Sequence, residues 1–243
     1  HDRDVAVSWV HAEHIERDGP DAWLANTSGI VVPGGFGKRG VEGMVQTVAY
    51  ARERGVPYLG LCLGMQVMVV EYARSQLGLP AANSTEFDSE TTDPVIAYLP
   101  GQEELLETGG TMRLGAYPCK LRDETIAASA YGVGLVQERH RHRYELNNDY
   151  RARLEEAGLV ASGAAPDDSL VEITEALGHP FMLGSQFHPE FASRPDRPHP
   201  LFRQFIAVAK DVIREGGQPP LRLGDTVLAQ AGRDDAKSGN GRG

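Results

Sequence analysis

The segment Gly60-Leu61-Cys62-Leu63-Gly64-Met65-Gln66 has the form G-x-C-x-G, the thiol counterpart of the nucleophile elbow, a strand-to-helix turn that carries a reactive side chain. Small residues two before and two after the nucleophile are needed because side chains in so tight a turn collide. Such a turn lifts the sulfur out at the carboxyl edge of a sheet. It also sets the sulfur at a helix N-terminus, where the positive end of the dipole favours a thiolate. A free thiol with pKa of about 8.5 is only a few per cent ionised at neutral pH, and a lowering of about two units corresponds to roughly 2.7 kcal/mol. The expectation is a thiolate-prone nucleophile at Cys62. Cys119, in Tyr117-Pro118-Cys119-Lys120, has no such context and reads as a buried structural residue.

A thiol nucleophile needs a base, and the base needs an orienting group. Of the eight histidines, His188 stands out in Gln186-Phe187-His188-Pro189-Glu190, directly after an apolar run. That order places it, like Cys62, at the carboxyl edge of the sheet, where open α/β folds put their sites. Glu190, two residues on, is placed to hold the imidazole tautomer.

Two further stretches carry possible chemistry. Gly35-Phe36-Gly37-Lys38-Arg39-Gly40 matches G-x-G-x-x-G, but the next strand ends in a cysteine where a dinucleotide site needs an acidic residue. Lys38 is followed by Arg39, which excludes a phosphate-binding P-loop. The better role is donation of bare backbone N–H groups to a developing oxyanion. In Glu138-Arg139-His140-Arg141-His142-Arg143-Tyr144-Glu145, a strand would put the arginines on one face and His140, His142 and Tyr144 on the other. His140-x-His142 offers two metal ligands without a third. An arginine here could clamp a substrate carboxylate, although spacing does not choose which.

These groups must be positioned by the rest of the 243 residues, of which 41% are hydrophobic and 24% charged. That composition excludes a collagen-like or wholly disordered chain, and two cysteines exclude a disulfide scaffold. A net charge of −10 argues against a nucleic-acid binder. No apolar run approaches the roughly 18 residues that span a bilayer. Apolar patterning predicts strands at Val5 to Val10, Gly29 to Pro33 and Pro57 to Leu61, and helices at Val41 to Arg54, stopped by Gly55, and Met65 to Leu77. This alternation argues for an α/β fold with a parallel sheet. Asn83 to Gly110 reads as a loose excursion. Strands follow at Thr111 to Leu121, Gly134 to Leu146, Leu170 to Ala176 and Phe181 to Phe187, with helices at Tyr150 to Ala157 and Pro200 to Glu215. Residues 1–215 read as the domain, and 216–243 as a disordered tail.

Together these segments resemble a class I (triad-type) glutamine amidotransferase domain. The generic marks are Pro33-Gly34-Gly35, the Cys62 elbow and Phe187-His188-Pro189-Glu190. Gly35 to Met44, Asn83-Ser84-Thr85-Glu86-Phe87, Gly109 to Gly115, Glu138 to Glu145 and Asn147-Asn148 narrow the resemblance to glutaminase domains of the CTP synthase family. The resemblance implies a flavodoxin-like open, mostly parallel sheet with helices on both faces. It makes Cys62, His188 and Glu190 the triad that hydrolyses L-glutamine through a γ-glutamyl thioester, with Gly35 and Leu63 N–H groups as oxyanion hole. It puts Gly35, Leu63, Gly64, Met65, Gln66, Glu86 and Arg143 at glutamine-binding positions. In the family, ammonia passes to a synthetase domain, which uses ATP and Mg²⁺ to convert UTP to CTP, a ligase reaction stimulated by GTP. No cofactor is expected within this chain.

The resemblance further implies a cytoplasmic protein that is a homo-oligomer at full length. It also implies one more strand and helix ahead of Val5; with His1 in first place, the sequence reads as part of something longer. Without that neighbour, Val5 to Val10 is expected to be locally rearranged. The competing readings are a stand-alone γ-glutamyl hydrolase or peptidase of the same superfamily and a catalytically silent regulatory module.

Overall fold

The architecture comes from a computed structural model, which describes residues 4–98 and 112–212. Two short helices, α1 (Ala12–Asp18) and α2 (Asp21–Leu24), lead into β1 (Ile30–Val32). The alternation continues through α3 (Val41–Arg54), β2 (Tyr58–Leu61) and α4 (Leu63–Gln76). Gly55, at φ +61°, closes α3 as its sequence position requires, and its N–H returns to the Ala51 carbonyl. Next come β3 (Ala82–Ser84), β4 (Asp93–Tyr98), β5 (Arg113–Leu121), α5 (Ile126–Tyr131), β6 (Leu135–His142) and β7 (Tyr144–Leu146). The chain ends its described course with α6 (Asn148–Glu156), β8 (Leu159–Ala164), β9 (Val171–Ala176), β10 (Met182–Ser185) and α7 (Pro200–Ala209).

Seven strands form one sheet in the order β1-β2-β10-β9-β8-β5-β6, and β3, β4 and β7 form a second. The α/β class holds, with helices on both faces. The sheet, expected to be mostly parallel, is parallel only across β1, β2 and β10. Every other pairing in the large sheet is antiparallel, because short turns join β8 to β9 and β9 to β10 where a parallel return needs a long crossover. β2 shows how the sheet divides two cores: Tyr58 packs with Val48, Met65 and Met68 beneath α3 and α4. Leu59 and Leu61 face Ala127, Leu201 and Phe205 from α5 and α7. Each such fully buried apolar side chain contributes about 1.5–3 kcal/mol.

Several expectations need correction. Val5 to Val10 forms no strand; Val5, Val7 and Trp9 are 58%, 68% and 89% exposed, since apolar alternation holds a strand only where an adjacent edge pairs with it. The excursion from Asn83 is partly ordered as β3 and β4, and its stretch 99–111 lies outside the described residues. Gly134 to Leu146 is two strands in different sheets, broken at Arg143. The last helix stops at Ala209 short of Glu215, and the tail from 216 also lies outside the described residues. Among the described residues, no helix is long and apolar enough to cross a membrane.

Candidate active site

β2 delivers the chain into the elbow. Cys62 sits between β2 and α4 with φ +52° and ψ −100°, a conformation that costs about 1–3 kcal/mol for a residue with a Cβ. The surrounding glycines show why the turn tolerates nothing larger. A Cβ on Gly60 would lie 2.5 Å from the Gly64 carbonyl carbon, and one on Gly64 would lie 2.2 Å from the Val32 carbonyl oxygen. The Cys62 N–H is tied to the Ser185 carbonyl of β10 at 2.7 Å. The elbow is thus braced by both neighbouring strands.

His188 follows β10, at the same edge. Its Nδ1 is 2.6 Å from Glu190 Oε1, so Glu190 fixes the tautomer, with the proton on Nδ1 and Nε2 left bare in the neutral ring. That Nε2 is buried and finds no hydrogen-bond partner among the described residues. Burial works against the Glu190 carboxylate, but the His188 hydrogen bond and charge outweigh it and hold the acid below its usual range. His188 and Cys62 border one space: a Cβ on Gly34 would meet His188 Cε1 at 2.8 Å and Cys62 Cβ at 3.6 Å. The sequence pairing of elbow and histidine is therefore realised in space.

A cleft of about 330 Å³ opens in front of the sulfur, lined by Gly35, Phe36, Cys62, Gln66, Glu86 and Met112, with Arg141 to Tyr144 opposite. Of the glutamine-binding positions expected from the sequence, Gly35, Gln66, Glu86 and Arg143 meet here. Leu63, Gly64 and Met65 do not line the cleft. Leu63 packs beside Gly35, where a Cβ would lie 2.9 Å from Leu63 Cδ2, and its backbone N–H faces the sulfur. Gly64 accepts a 2.8 Å hydrogen bond from the Tyr58 hydroxyl through its carbonyl. Met65 is turned into the core against Gly184. Glu86 Oε1 accepts the Gly37 N–H at 2.7 Å, pinning the glycine loop over the cleft.

The arginine wall arrives by a route the sequence does not reveal. β6 is the far edge of the sheet, four places from β10, yet the Arg139 carbonyl accepts the His188 N–H at 2.8 Å. The sheet curls, carrying Arg141 and Arg143 to the cleft. The Cys62 thiol lies 4.0 Å from the Arg141 carbonyl as donor, and the Arg141 guanidinium stands 6.0 Å above the Phe36 ring.

Behind this wall His140 and His142 are buried and joined, Nδ1 to Nε2, at 2.8 Å. His142 Nδ1 faces the Tyr144 carbonyl at 3.3 Å; a carbonyl only accepts, so that nitrogen carries the proton and His140 donates to His142. Burial first, and then the Arg113 charge, push His140 down to about 2 and His142 to about 3, so both stay neutral. Arg113 reaches Glu172 at 2.7 Å and Glu145 at 3.6 Å. Burial pushes both carboxyls up, Glu145 well above its ordinary range. Among the described residues no metal-holding group of three His, Cys, Asp or Glu side chains occurs. The paired histidines serve as a structural brace.

The expectation of a depressed thiol pKa is overturned. Burial pushes the Cys62 thiol up to about 12, against the opposing Leu63 N–H, and the negative charges of Glu145, Glu190 and Glu86 add to the rise. Gln186 is a further residue at the sulfur that spacing did not single out: its Nε2 lies 3.7 Å from Cys62 Sγ. Its place two residues before His188 was the only available signal.

The model of the family described as glutamine amidotransferase class-I matches residues 2–208. The chain is 61% identical over 221 residues to a CTP synthase of Dehalococcoides mccartyi, covering 91% of this chain and 41% of that protein. It is 58% identical to a CTP synthase of Roseiflexus castenholzii, covering 90% and 40% respectively. The chain therefore spans about two fifths of the length of these relatives. In structure it is similar to the glutaminase domain of Trypanosoma brucei CTPS with bound acivicin, at TM-score 0.81 and 37% identity, covering 90% of this chain and 86% of that one. A putative GMP synthase protein from Thermoplasma acidophilum, at TM-score 0.52 and 15% identity, shares the fold over 85% of this chain and 91% of that one.

Proposed function

We propose a glutaminase function for this chain, which belongs to the class I glutamine amidotransferases and, within them, to the glutaminase domains of CTP synthases. The observation that carries the reading is the elbow cysteine and the Glu190-held His188 bordering a single glycine, Gly34, at one edge of the sheet. L-Glutamine enters the cleft with its side-chain amide at Cys62. Arg143 clamps its α-carboxylate and Glu86 receives its α-ammonium, the assignments that charge complementarity favours.

Because the thiol rests protonated, attack is coupled to proton transfer. The Cys62 S–H bond breaks, the proton passes to His188, and the sulfur forms a bond to the amide carbon. Negative charge on the carbonyl oxygen is met by the Gly35 and Leu63 N–H groups. The C–N bond then breaks, and ammonia departs with the proton held by His188. Water, deprotonated by His188, attacks the γ-glutamyl thioester; the S–C bond breaks, releasing glutamate and restoring the thiol. Glu190 stabilises the imidazolium through both halves. The ammonia serves a synthetase domain that spends ATP to aminate UTP.

Trapping with 6-diazo-5-oxonorleucine tests the nucleophile. Covalent label at Cys62, absent in Cys62→Ala, is expected; a folded sample left unlabelled at Cys62 overturns the assignment. Release of glutamate from glutamine in preference to γ-glutamyl peptides separates this function from a peptidase.

A further inference from the structure

The Gln186 carboxamide is fully buried, and its backbone N–H is pinned to the Glu172 carbonyl at 2.8 Å. Gln66 Nε2 donates to the Tyr144 carbonyl at 3.1 Å and also faces Gln186 Oε1 at 3.4 Å. A backbone carbonyl cannot donate, so the Gln66 end of this contact must be the NH₂ group. The Gln186 atom facing that NH₂ must then be its oxygen. This leaves the Gln186 NH₂ group nowhere to point except at the sulfur, 3.7 Å away. The orientation of one amide thus dictates the other, and the second presents a donor to the nucleophile.

We propose that Gln186 is a further catalytic residue, whose side-chain N–H, aimed by Gln66, stabilises the Cys62 thiolate as it forms. A donor on sulfur bonds to the anion more strongly than to the thiol. As the S–H proton leaves for His188, the electron pair remains on sulfur opposite the Gln186 NH₂ group. The other charged or titratable groups facing this sulfur are His188 and Glu190 after β10, Glu86 from the loop after β3, Glu145 from β7, and Arg141, His142 and Arg143 from the end of β6. The acidic groups among them disfavour a thiolate, so a neutral donor helps without adding charge. Gln186 does not line the cleft in which Arg143 and Glu86 stand.

The inference rests on Cys62 being the glutamine-attacking nucleophile. It is tested by alkylation of Cys62 with iodoacetamide in the full 243-residue chain, followed on the rising limb from about pH 7 to about pH 10 by mass spectrometry. In Gln186→Met, which keeps the length and removes the donor, the profile is expected to move about one unit up the pH axis, read as a roughly tenfold lower rate at each pH on that limb. An unmoved profile, or a fall in Gln186→Met that the shorter Gln186→Asn does not share, overturns the proposal and leaves Gln186 a packing residue. If Gln186→Met fails to fold, Gln186→Asn withdraws the donor by one carbon and must move the profile in the same direction. Trapping of wild-type Cys62 by 6-diazo-5-oxonorleucine separates the two failures: a labelled wild type with an unmoved profile defeats only the role of Gln186.

Discussion

His188 and Glu190, two residues apart across Pro189, hold each other at 2.6 Å between Nδ1 and Oε1. Pro189 opens a 3₁₀ turn (Pro189–Phe191), and this turn brings a residue two positions on back beside the imidazole. Their side chains are unequally covered, at 10% exposure for His188 and 41% for Glu190, so the carboxylate meets solvent while the imidazole is largely covered.

Glu190→Gln keeps an oxygen at Nδ1 and removes the charge that favours the imidazolium. Glutamate release is expected to fall about 100-fold, at the lower end of general acid–base effects because of the exposed carboxylate. Steady-state assay at saturating glutamine checks this, with unchanged Cys62 trapping stoichiometry as the control. The depressed Glu190 pKa has a second consequence. Its contribution to stability is present above the ordinary carboxylate pKa and is lost as pH falls through the lower folded value. Acid denaturation of Glu190→Gln should therefore run closer to that of the wild type as pH drops below about 4.3.

Gly34 and Gly64 are expected to fail differently. Gly34→Ala crowds His188 Cε1 at 2.8 Å, a movable ring. It should lower glutaminase activity by about 100-fold, with little change in melting temperature. Gly64→Ala drives its methyl to 2.2 Å from a main-chain oxygen of β1. It should destabilise the fold by about 3 kcal/mol or more. Thermal melts beside activity assays separate the two outcomes.

Burial of Cys62 links stability to alkali. The unfolded thiol ionises near its ordinary value of 9.0, whereas the folded thiol holds its proton up to about 12. The stability from keeping the thiol neutral is present below pH 9.0 and is lost as pH rises through that interval. Cys62→Ala removes one such group, so its melting temperature should fall less steeply with pH above about 9. An identical slope in the two proteins would contradict the buried neutral thiol.

Arg113 serves two buried carboxyls, Glu172 at 2.7 Å and Glu145 at 3.6 Å. Arg113→Met strands both and is expected to cost about 3–5 kcal/mol. Glu145→Gln, which removes the more distant carboxyl at 3.6 Å and leaves the 2.7 Å Glu172 pair in place, should cost less than about 1 kcal/mol. Urea denaturation of the two variants measures the difference.

Local rules were enough for the elbow, because Gly60 and Gly64 are demanded by a turn five residues long. They were also enough for the Gly55 stop of α3 and for the adjacency of His188 and Glu190, each decided within a few bonds. Long-range pairing was not legible. Nothing in the alternation of Arg139 to Tyr144 shows that an edge strand curls back to reach His188. Nor does the apolar alternation of Val5 to Val10 show that no neighbouring edge receives it. The Gln186 donor depends on two amides and a carbonyl from three separate segments meeting around one sulfur. The sequence by itself determined which atoms could react and the local turns that present them. Tertiary structure decided what surrounds them, and burial, which no spacing encodes, raises the Cys62 thiol pKa where the elbow alone favours a thiolate.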